Sequence, residues 1–348
     1  MTIDPQTISG WAEDTQDAPV ALTLRQKLVS VEGEDAVIFP PTYAGREPYV
    51  IDTLADGAKV VLIDSVGSQA NRMEPIFGEE EYRHLAPQIT IKAGNERTIS
   101  IFEVGHRIAD ALARSARPLA GKVHEAFSEL ARGNAGEMAR LAPTSLVFGV
   151  WDSRGEGMKV PRLINSVIRA HDVSMLHRSA QYMPPLMPEE YRELAGFNEK
   201  EIQKAEGDPK APMAKAGFVP VPSTDEPGGV IARGGIWRTV TVNLVALRKL
   251  NAGEESAPLR RYILGLALVA ATYPQDGFLR QGCQLMVDEA SPGVWRAVYR
   301  DGRREDTGLT HEAAKAFAGR AAEGFGVGED MQAEFDKDLA HEVLKSAK

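Results

Sequence analysis

Apolar residues in this chain occur only in short runs, and this brevity limits what the chain can fold into. The nearest approach to a long run, Tyr262–Thr272, is far below the roughly 18 residues that a membrane-spanning helix needs. The first residues, Met1 to Asp4, lack the basic and then apolar order of a signal peptide. Cys283 is the single cysteine, which excludes an internal disulfide. We therefore expect a reduced, cytoplasmic protein without a membrane partner.

The short runs follow both the strand period and the helix period, which predicts a mixed structure. Lys59–Asp64 is typical of a buried strand that leads into a helix over Ser65–Phe77. Gln88–Glu103 is typical of a hairpin, and Leu259–Thr272 of a buried helix. Further predicted elements are a helix over His106–Arg117, a strand over Thr144–Trp151, a helix over Pro161–His171, a hairpin over Val230–Val242, a strand pair of Gln284–Val287 with Trp295–Tyr299, and helices near 310–321 and 330–346. The sequence shows neither a regular βαβ alternation nor an internal repeat. We therefore predict the α+β fold class.

The domain organisation follows from where this pattern weakens. Residues 183–229 are rich in proline and poor in apolar periodicity, so we expect an irregular insertion there. Residues 300–348 are expected to form a C-terminal helical extension. We predict that residues 1–348 form a single elaborated domain that carries both additions.

Charge is distributed unevenly along a chain whose net charge is −9. Residues 1–60 and 301–348 are acidic, whereas residues 141–180 carry five basic against three acidic side chains and residues 228–262 carry six against two. Screening in salt acts over about 8–10 Å, so a local basic surface on an acidic body is compatible with nucleic-acid binding. Ordinary charge scatter is the open alternative.

Two predicted helices carry polar stripes without a carboxylate. On the first, Ser65, Ser68, Gln69 and Arg72 lie opposite an apolar face, with Asn71 at the margin. On the second, the stripe consists of Arg162, Asn165, Ser166 and Arg169. Hydrogen-bond donors interleaved with arginine suit phosphate and ribose oxygens. The alternative is that both stripes are ordinary solvated helix faces.

The sequence contains few residues or motifs that indicate catalysis. The sequence contains no GxxxxGK[ST] loop, HExxH or GxSxG. Asp64 and Asp152 end apolar runs, a position that either holds a catalytic metal or caps the next helix or turn. His171, Asp172 and His177 are close in sequence, but loop or helix-end histidines are commoner than metal ligands. We assign no catalytic residue, no metal ligand and no cofactor.

Several dispersed segments resemble a known family. The most specific are Val61–Glu74 (VLIDSVGSQANRME) and Pro143–Arg169, which contains TSLVFGVWDS. Others are Phe39–Gly45, Arg178–Pro184, Gly228–Arg248 and Leu259–Gly282. Together they resemble the backbone subunit of the type I-G (formerly I-U) CRISPR Cascade complex, from the Csb-type branch of the seven-type Cas proteins in the RAMP superfamily.

The resemblance implies a modified RRM-like, or ferredoxin-like, palm with large insertions that act as thumb and fingers. It implies that copies stack head to tail along a guide RNA and leave bases free to pair with a target DNA strand, beside other Cascade subunits, in antiviral defence. Either Gln88–Glu103 or residues 183–229 would be the thumb.

The resemblance also implies an RNA-binding role for a set of residues. These are Tyr43, Arg46, Ser68, Gln69, Asn71, Arg72, Lys159, Arg162, Asn165, Arg169, Arg233, Trp237 and Arg238. Trp237 is the candidate for base stacking.

Two further functions remain open from the sequence. One is a metal-dependent RNA endonuclease, as in backbone subunits of the related type III complexes, with Asp64 or Asp152 as its acidic residue. The other is a small-molecule enzyme, which the basic blocks do not favour. We expect a non-catalytic RNA-binding subunit.

Overall fold

A computed structural model describes residues 3–44, 47–94, 96–153, 157–206 and 208–346. The described strands are β1 (Ala21–Ser30), β2 (Ile51–Thr53), β3 (Lys59–Asp64), β4 (Ile89–Ala93), β5 (Arg97–Ser100), β6 (Ala116–Arg117), β7 (Val150–Trp151), β8 (Lys159–Val160), β9 (Ile164–His171), β10 (Val173–Tyr182), β11 (Val221–Ala232), β12 (Ile236–Asn243), β13 (Phe278–Arg280), β14 (Cys283–Val287), β15 (Arg296–Val298), β16 (Arg304–Asp306) and β17 (Met331–Phe335).

The described α-helices are α1 (Pro5–Gly10), α2 (Val66–Met73), α3 (Ala111–Arg114), α4 (Leu119–Ala131), α5 (Gly136–Leu141), α6 (Pro143–Phe148), α7 (Pro188–Ala195), α8 (Glu199–Ala205), α9 (Pro212–Lys215), α10 (Leu244–Arg248), α11 (Ser256–Thr272), α12 (His311–Phe325) and α13 (Lys337–Ser346). Short 3₁₀ turns lie at Glu74–Gly78, Arg83–Leu85, Ile101–Glu103, Arg107–Ala109 and Gly253–Glu255. The fold is therefore α+β, as the sequence predicts.

The main sheet is ordered β13-β14-β1-β12-β9-β3-β2, and β15 also pairs with β1. Within it, β14, β1, β12 and β9 are antiparallel neighbours. Helical segments lie between β1 and β9 and between β12 and β14, whereas β9 and β12 belong to one hairpin-like excursion. Numbered along the chain, these four strands have the order 4-1-3-2 of a βαββαβ, or ferredoxin-like, unit. The predicted RRM-like palm is confirmed by this topology.

The inner face of the sheet packs against α11, which is buried along most of its length. Leu22 and Leu24 of β1 and Val240 and Val242 of β12 project toward this side. A helix that is apolar on all sides needs a layer on each side, and α12 supplies the second one. Burial of these side chains supplies about 25 cal/mol for each Å² of apolar surface removed from water.

A long two-stranded ribbon extends from the sheet, and the ribbon bends at the point where it leaves the sheet. On the outgoing side, Asp172 separates β9 from β10 and has a φ of +49°. On the returning side, a Cβ on Gly234 would lie 3.0 Å from the backbone of His171, and Gly235 has a φ of +79°. Glycine is thus required at this corner. The prediction of a hairpin over Val230–Val242 is wrong, because these glycines bend one long strand and do not reverse the chain.

Beyond the bend, β10 and β11 pair with each other as a separate two-stranded sheet. Helices α7, α8 and α9 lie between the two strands of this ribbon along the chain, and α8 and α9 share a small core of their own. That core consists of Ile202, Ala205, Ala214 and Val219. Residues 183–229 thus contain three helices and most of a return strand rather than an entirely irregular segment.

Two predicted elements have the wrong secondary structure: one predicted helix is a strand, and one predicted strand is a helix. The helix predicted over Pro161–His171 is wrong, because Ile164–His171 is β9, a central strand between β12 and β3. Its β-branched side chains pack well on a pleated surface, and pairing on both sides outweighs the helical period. The strand predicted over Thr144–Trp151 is also wrong, because Pro143–Phe148 is α6, which begins with proline in its first turn.

Other boundaries also differ. The helix predicted over His106–Arg117 is reduced to a 3₁₀ turn, the four-residue α3 and the short β6. The predicted pairing of Gln284–Val287 with Trp295–Tyr299 is wrong, because β14 and β15 each pair with β1. The predicted C-terminal helix near 330–346 begins with β17, which pairs in parallel with β4. All of these differences involve long-range pairing.

The contact between α11 and α12 gives a test of the packing. A Cβ at Gly265 would lie 2.8 Å from the Cα of Ala318. We expect Gly265→Ala to lower the free energy of unfolding by about 1–3 kcal/mol through overpacking. Gly319→Ala in α12 is the matched control, because nothing lies within 4 Å of its Cβ position. Chemical denaturation should show the control to be neutral or stabilising, and equal effects would contradict this packing.

Candidate nucleic-acid interface

The outer face of the palm sheet presents polar and basic side chains. Residues directly opposite each other on neighbouring strands share a face, and the register places Lys27, Trp237 and Arg169 in one row. The next rows contain Arg25, Thr239 and Val167, and then Thr23, Thr241 and Asn165. Arg25, Arg169, Asn165 and Thr239 are exposed. Strand alternation therefore separates this solvated face from the apolar core face.

Three side chains of this face form a compact basic cluster around an aromatic ring. The Arg25 guanidinium lies 4.2 Å from the ring centroid of Trp237. Burial lowers the pKa of His171, and the positive charges of Arg25 and Arg169 lower it further. Lys27 differs, because its Nζ lies 2.8 Å from carboxylates of both Glu34 and Asp288. We call Arg25, Arg169, His171 and Trp237 the sheet-face patch.

Arg169 and Arg25 have no carboxylate partner among the described residues. Two arginines without counter-ions beside a half-buried tryptophan create a local positive potential on an otherwise acidic protein. An arginine guanidinium binds phosphate through two parallel hydrogen bonds, and a tryptophan ring stacks on bases. Chemically, the patch suits a single-stranded nucleic acid.

The α2 stripe lies elsewhere and is directed at a buried carboxylate. Asp64 is 1% exposed. Its Oδ1 accepts from the Ser68 hydroxyl at 2.8 Å, and its Oδ2 accepts from Gln69 Nε2 at 2.7 Å and from Arg72 Nε at 3.1 Å. Arg72 also donates to the carbonyl of Leu279 at 2.8 Å. The donors that the sequence analysis assigns to RNA phosphate are thus engaged within the protein.

The cap of α2 is Ser65, whose hydroxyl accepts from the backbone N–H of Ser68 at 3.2 Å. Asp64 instead ties β3 to α2 and to the β13 region, because Arg280 donates to Asp64 Oδ1 at 3.4 Å and to the Ile63 carbonyl at 2.8 Å. The expectation that Asp64 caps the next helix is therefore corrected. Asp152 is also buried and pairs with Arg114.

A hydrogen-bond relay continues from this cluster through the sheet. The Ser166 hydroxyl donates to Gln69 Oε1 at 2.7 Å. Arg238 Nε then donates to Ser166 Oγ at 3.2 Å. Both Ser166 and Arg238 are buried on the inner side of the sheet. Arg238 and Arg169, which the sequence analysis groups together, therefore project to opposite faces of the palm.

The remaining predicted residues are scattered. Asn71 is exposed and its Oδ1 accepts from Arg107 at 3.4 Å, whereas Arg162 is exposed beside the start of α2. Lys159 lies 5.8 Å from the ring centroid of Trp151. Arg233 is exposed at the corner of the ribbon, and Tyr43 is exposed in the N-terminal loop. Arg46 lies outside the described residues.

Sequence reasoning missed Arg25 and Arg280. Residues 21–30 (ALTLRQKLVS) alternate apolar and polar side chains, the period of a half-buried strand. This signal places Arg25 on a solvated face. No local signal points to Arg280, because its partners Phe39, Ile63 and Asp64 are more than 200 residues away along the chain.

Within the part of the chain that the structure describes, no three His, Cys, Asp or Glu side chains gather as a metal site. No described helix combines the length and the apolar character needed to cross a membrane.

Residues 22–175 match the model of a protein family described as CRISPR-associated protein GSU0053. Over these residues, the chain is similar to CRISPR-associated proteins. The matched stretch is less than half of the chain. It contains β1, β3, α2 and β9, and so includes Arg25, Asp64 and Arg169. No curated protein matches the sequence.

Among solved structures, one similar chain belongs to a structure titled "CRISPR RNA-guided surveillance complex, pre-nicking". The two chains share 11% identity, and the alignment covers 94% of this chain and 99% of the other, with a TM-score of 0.36. The palm topology is defined by the strand pairing of this chain.

Asp64 gives a test of the buried network. We expect Asp64→Ala to lower the free energy of unfolding by about 3–5 kcal/mol, because Arg72 and Arg280 lose a buried counter-ion. Asp52→Ala is the control, since Asp52 is exposed on the neighbouring β2 and should change stability by no more than about 0.5 kcal/mol. Urea denaturation distinguishes this large effect from the modest loss expected of a helix cap.

Proposed function

We propose that this chain is a guide-RNA-binding subunit of a CRISPR surveillance complex and that it catalyses no reaction itself. The observation that carries the proposal is the sheet-face patch, which presents Arg25, Arg169 and Trp237 on the solvated face of a ferredoxin-like palm. The similarity of residues 22–175 to a CRISPR-associated family supports it. The patch offers donors for phosphate and one ring for a base.

Guide-RNA binding of this kind needs little sequence reading by the protein. Base pairing reads the target, whereas the protein contacts phosphate and sugar. The patch fits this division, because its arginines are phosphate ligands and a single tryptophan stacks on any base. Its two neighbouring rows of threonine and asparagine add neutral donors for ribose oxygens.

The finer assignment is to the backbone subunit of a type I-G complex, which polymerises head to tail along the guide and supports pairing with the target DNA strand. Its support is the resemblance of Val61–Glu74 and Pro143–Arg169. The ribbon of β10 and β11, which carries α7–α9, pairs only with itself as a sheet separate from the palm sheet. Residues 183–229 are therefore our candidate for the thumb.

The non-catalytic assignment is also a proposal. Asp64, a candidate acid of the nuclease alternative, already accepts hydrogen bonds from Ser68, Gln69 and two arginines. A carboxylate saturated by donors is poorly prepared to bind a metal ion. Incubation of the loaded protein with complementary labelled RNA and Mg²⁺ or Mn²⁺ tests this. Regularly spaced products that vanish in Asp64→Asn or Asp152→Asn would support the nuclease instead.

The proposal predicts that the protein, expressed with its CRISPR array, co-purifies with guide RNA in assemblies much larger than one chain. Absorbance at 260 nm and size-exclusion chromatography are the measurements. A nucleic-acid-free monomer from such cells would contradict it.

The arginines of the patch give a quantitative test. We expect Arg25→Ala combined with Arg169→Ala to weaken binding to all single-stranded RNA sequences alike, and to lower the slope of log affinity against log salt by about 0.7 for each lost phosphate contact. Arg320→Ala is the matched control, because Arg320 is an exposed arginine on α12 far from the palm face in the fold. An unchanged slope with an intact fold would show that the patch is only a solvated surface.

Trp237 tests the stacking role separately. Stacking of a base on an aromatic ring contributes about 1–3 kcal/mol, so Trp237→Ala should weaken RNA binding without changing the salt slope. Trp237→Phe should retain most of the affinity, because it keeps an aromatic face. Fluorescence anisotropy with a labelled oligonucleotide measures both variants. Equal losses in the two variants would argue against stacking.

A further inference from the structure

A cavity of about 380 Å³ lies on the inner side of the palm, opposite the sheet-face patch. It is bounded by the sheet, by the end of α11 and by the loop that follows it. Its walls are largely apolar and include Leu24, Leu28, Ile168, Leu279 and Trp295. A cavity of this size and character holds a small organic molecule.

Arg238 lines this cavity and is only 7% exposed. Its Nε donates to Ser166, and its Nη2 lies 4.0 Å from the sulfur of Met73. No carboxylate lies within ion-pair distance of this guanidinium among the described residues. Burial lowers the pKa of Arg238 to about 10, with no neighbouring charge opposing the shift.

An unpaired donor lines the same cavity. The Nε2 atom of Gln275, in the loop after α11, is buried without a hydrogen-bond partner in the described part of the chain. Buried polar groups in proteins are nearly always paired, and buried charges are paired or coordinated. A buried guanidinium without a counter-ion and a buried amide donor without a partner, in one apolar cavity, therefore indicate a missing anionic acceptor.

The charge of the cavity selects the acceptor. One guanidinium balances one negative charge, and its planar donors match the two oxygens of a carboxylate. A phosphate dianion would leave excess negative charge against apolar walls, which is unfavourable. The apolar lining calls for an apolar body behind the charged group.

We propose that this cavity binds a monocarboxylate on an apolar body, with its oxygens held by Arg238 and Gln275. The carboxylate is supplied by a free organic acid or by the acidic side chain of another polypeptide. The cavity lies on the face opposite the sheet-face patch, so this proposal does not rest on the proposed function. Through Ser166 and Gln69, its occupant would be linked to the Asp64 network.

Sodium hexanoate is the first probe, and isothermal titration calorimetry on the full-length protein is the measurement. We expect saturable binding of one hexanoate per chain and a concentration-dependent rise in Tm. Hexanol, which has the same chain without the charge, should bind about tenfold more weakly or worse. Absence of hexanoate binding, or equal binding of hexanol, would overturn the proposal.

Variants locate the site. Arg238→Met should weaken hexanoate binding about tenfold or more, because it removes the charge but keeps an extended side chain. Arg25→Met is the matched control on the opposite face of the sheet and should bind as the wild type does. Gln275→Leu should weaken hexanoate binding severalfold. If Arg238→Met does not fold, Gln275→Leu alone tests whether hexanoate binds in this cavity. Unchanged binding in the folded variants would overturn the assignment.

A capped dipeptide distinguishes the two possible sources of the carboxylate, a free organic acid and the acidic side chain of another polypeptide. Acetyl-Leu-Glu-amide should bind through Arg238 if the natural occupant is an acidic side chain, whereas acetyl-Leu-Gln-amide should not. Tighter binding of the dipeptide than of hexanoate supports a polypeptide source, and the reverse order supports a free acid. Equal binding of the Glu and Gln dipeptides would show that the occupant is not an acidic side chain.

Discussion

The buried carboxylate of Asp64 is the interaction on which the arrangement of this palm depends. It lies at the end of β3 and accepts hydrogen bonds from Ser68, Gln69 and Arg72 of α2 and from Arg280 of β13. One charge thus joins a strand, a helix and a distant sheet-edge segment. Removing a buried charge from such a set leaves its partners uncompensated, which costs far more than a surface ion pair contributes. The SQANR segment is therefore explained first by folding.

The two faces of the palm divide the arginines between different tasks. Alternation along β12 places Trp237 outward and Arg238 inward, although the two residues are adjacent. The same alternation on β9 places Arg169 outward and Ser166 inward. The outward set is free to meet a polyanion, whereas the inward set enters the relay from Asp64 and lines a cavity. A one-residue change of register would exchange these roles.

This division would give the proposed RNA binding and the proposed assembly different parts of the molecule. The proposed guide-RNA contact uses the solvated face, and the ribbon of β10 and β11 leaves the palm at the corner formed by Asp172, Gly234 and Gly235. Because the corner directly follows β9 and directly precedes β12, the strands that carry Arg169 and Trp237, the ribbon starts beside the patch. Ligand binding at Arg238 would act from the other side, through the hydrogen bonds that end at Asp64.

The sequence alone determined the elements whose signals are local. Apolar runs predicted β3, α2, the hairpin over Gln88–Glu103 and α11, and their mixture predicted the α+β class. The resemblance at Val61–Glu74 and Pro143–Arg169 pointed to a CRISPR-associated family, to which residues 22–175 are similar. These features depend on period and motif, which neighbouring residues carry.

Which arginines are free depends on long-range strand pairing. The resemblance implies one RNA-binding role for Arg72, Arg169 and Arg238, but Arg72 pairs with Asp64, Arg238 is buried and Arg169 is exposed. Those outcomes follow from the pairing of β1 with β12, more than 200 residues apart, and from β9 forming a central strand instead of a helix. No local period encodes a partner at that distance, because strand pairing is settled by burial of the whole sheet face.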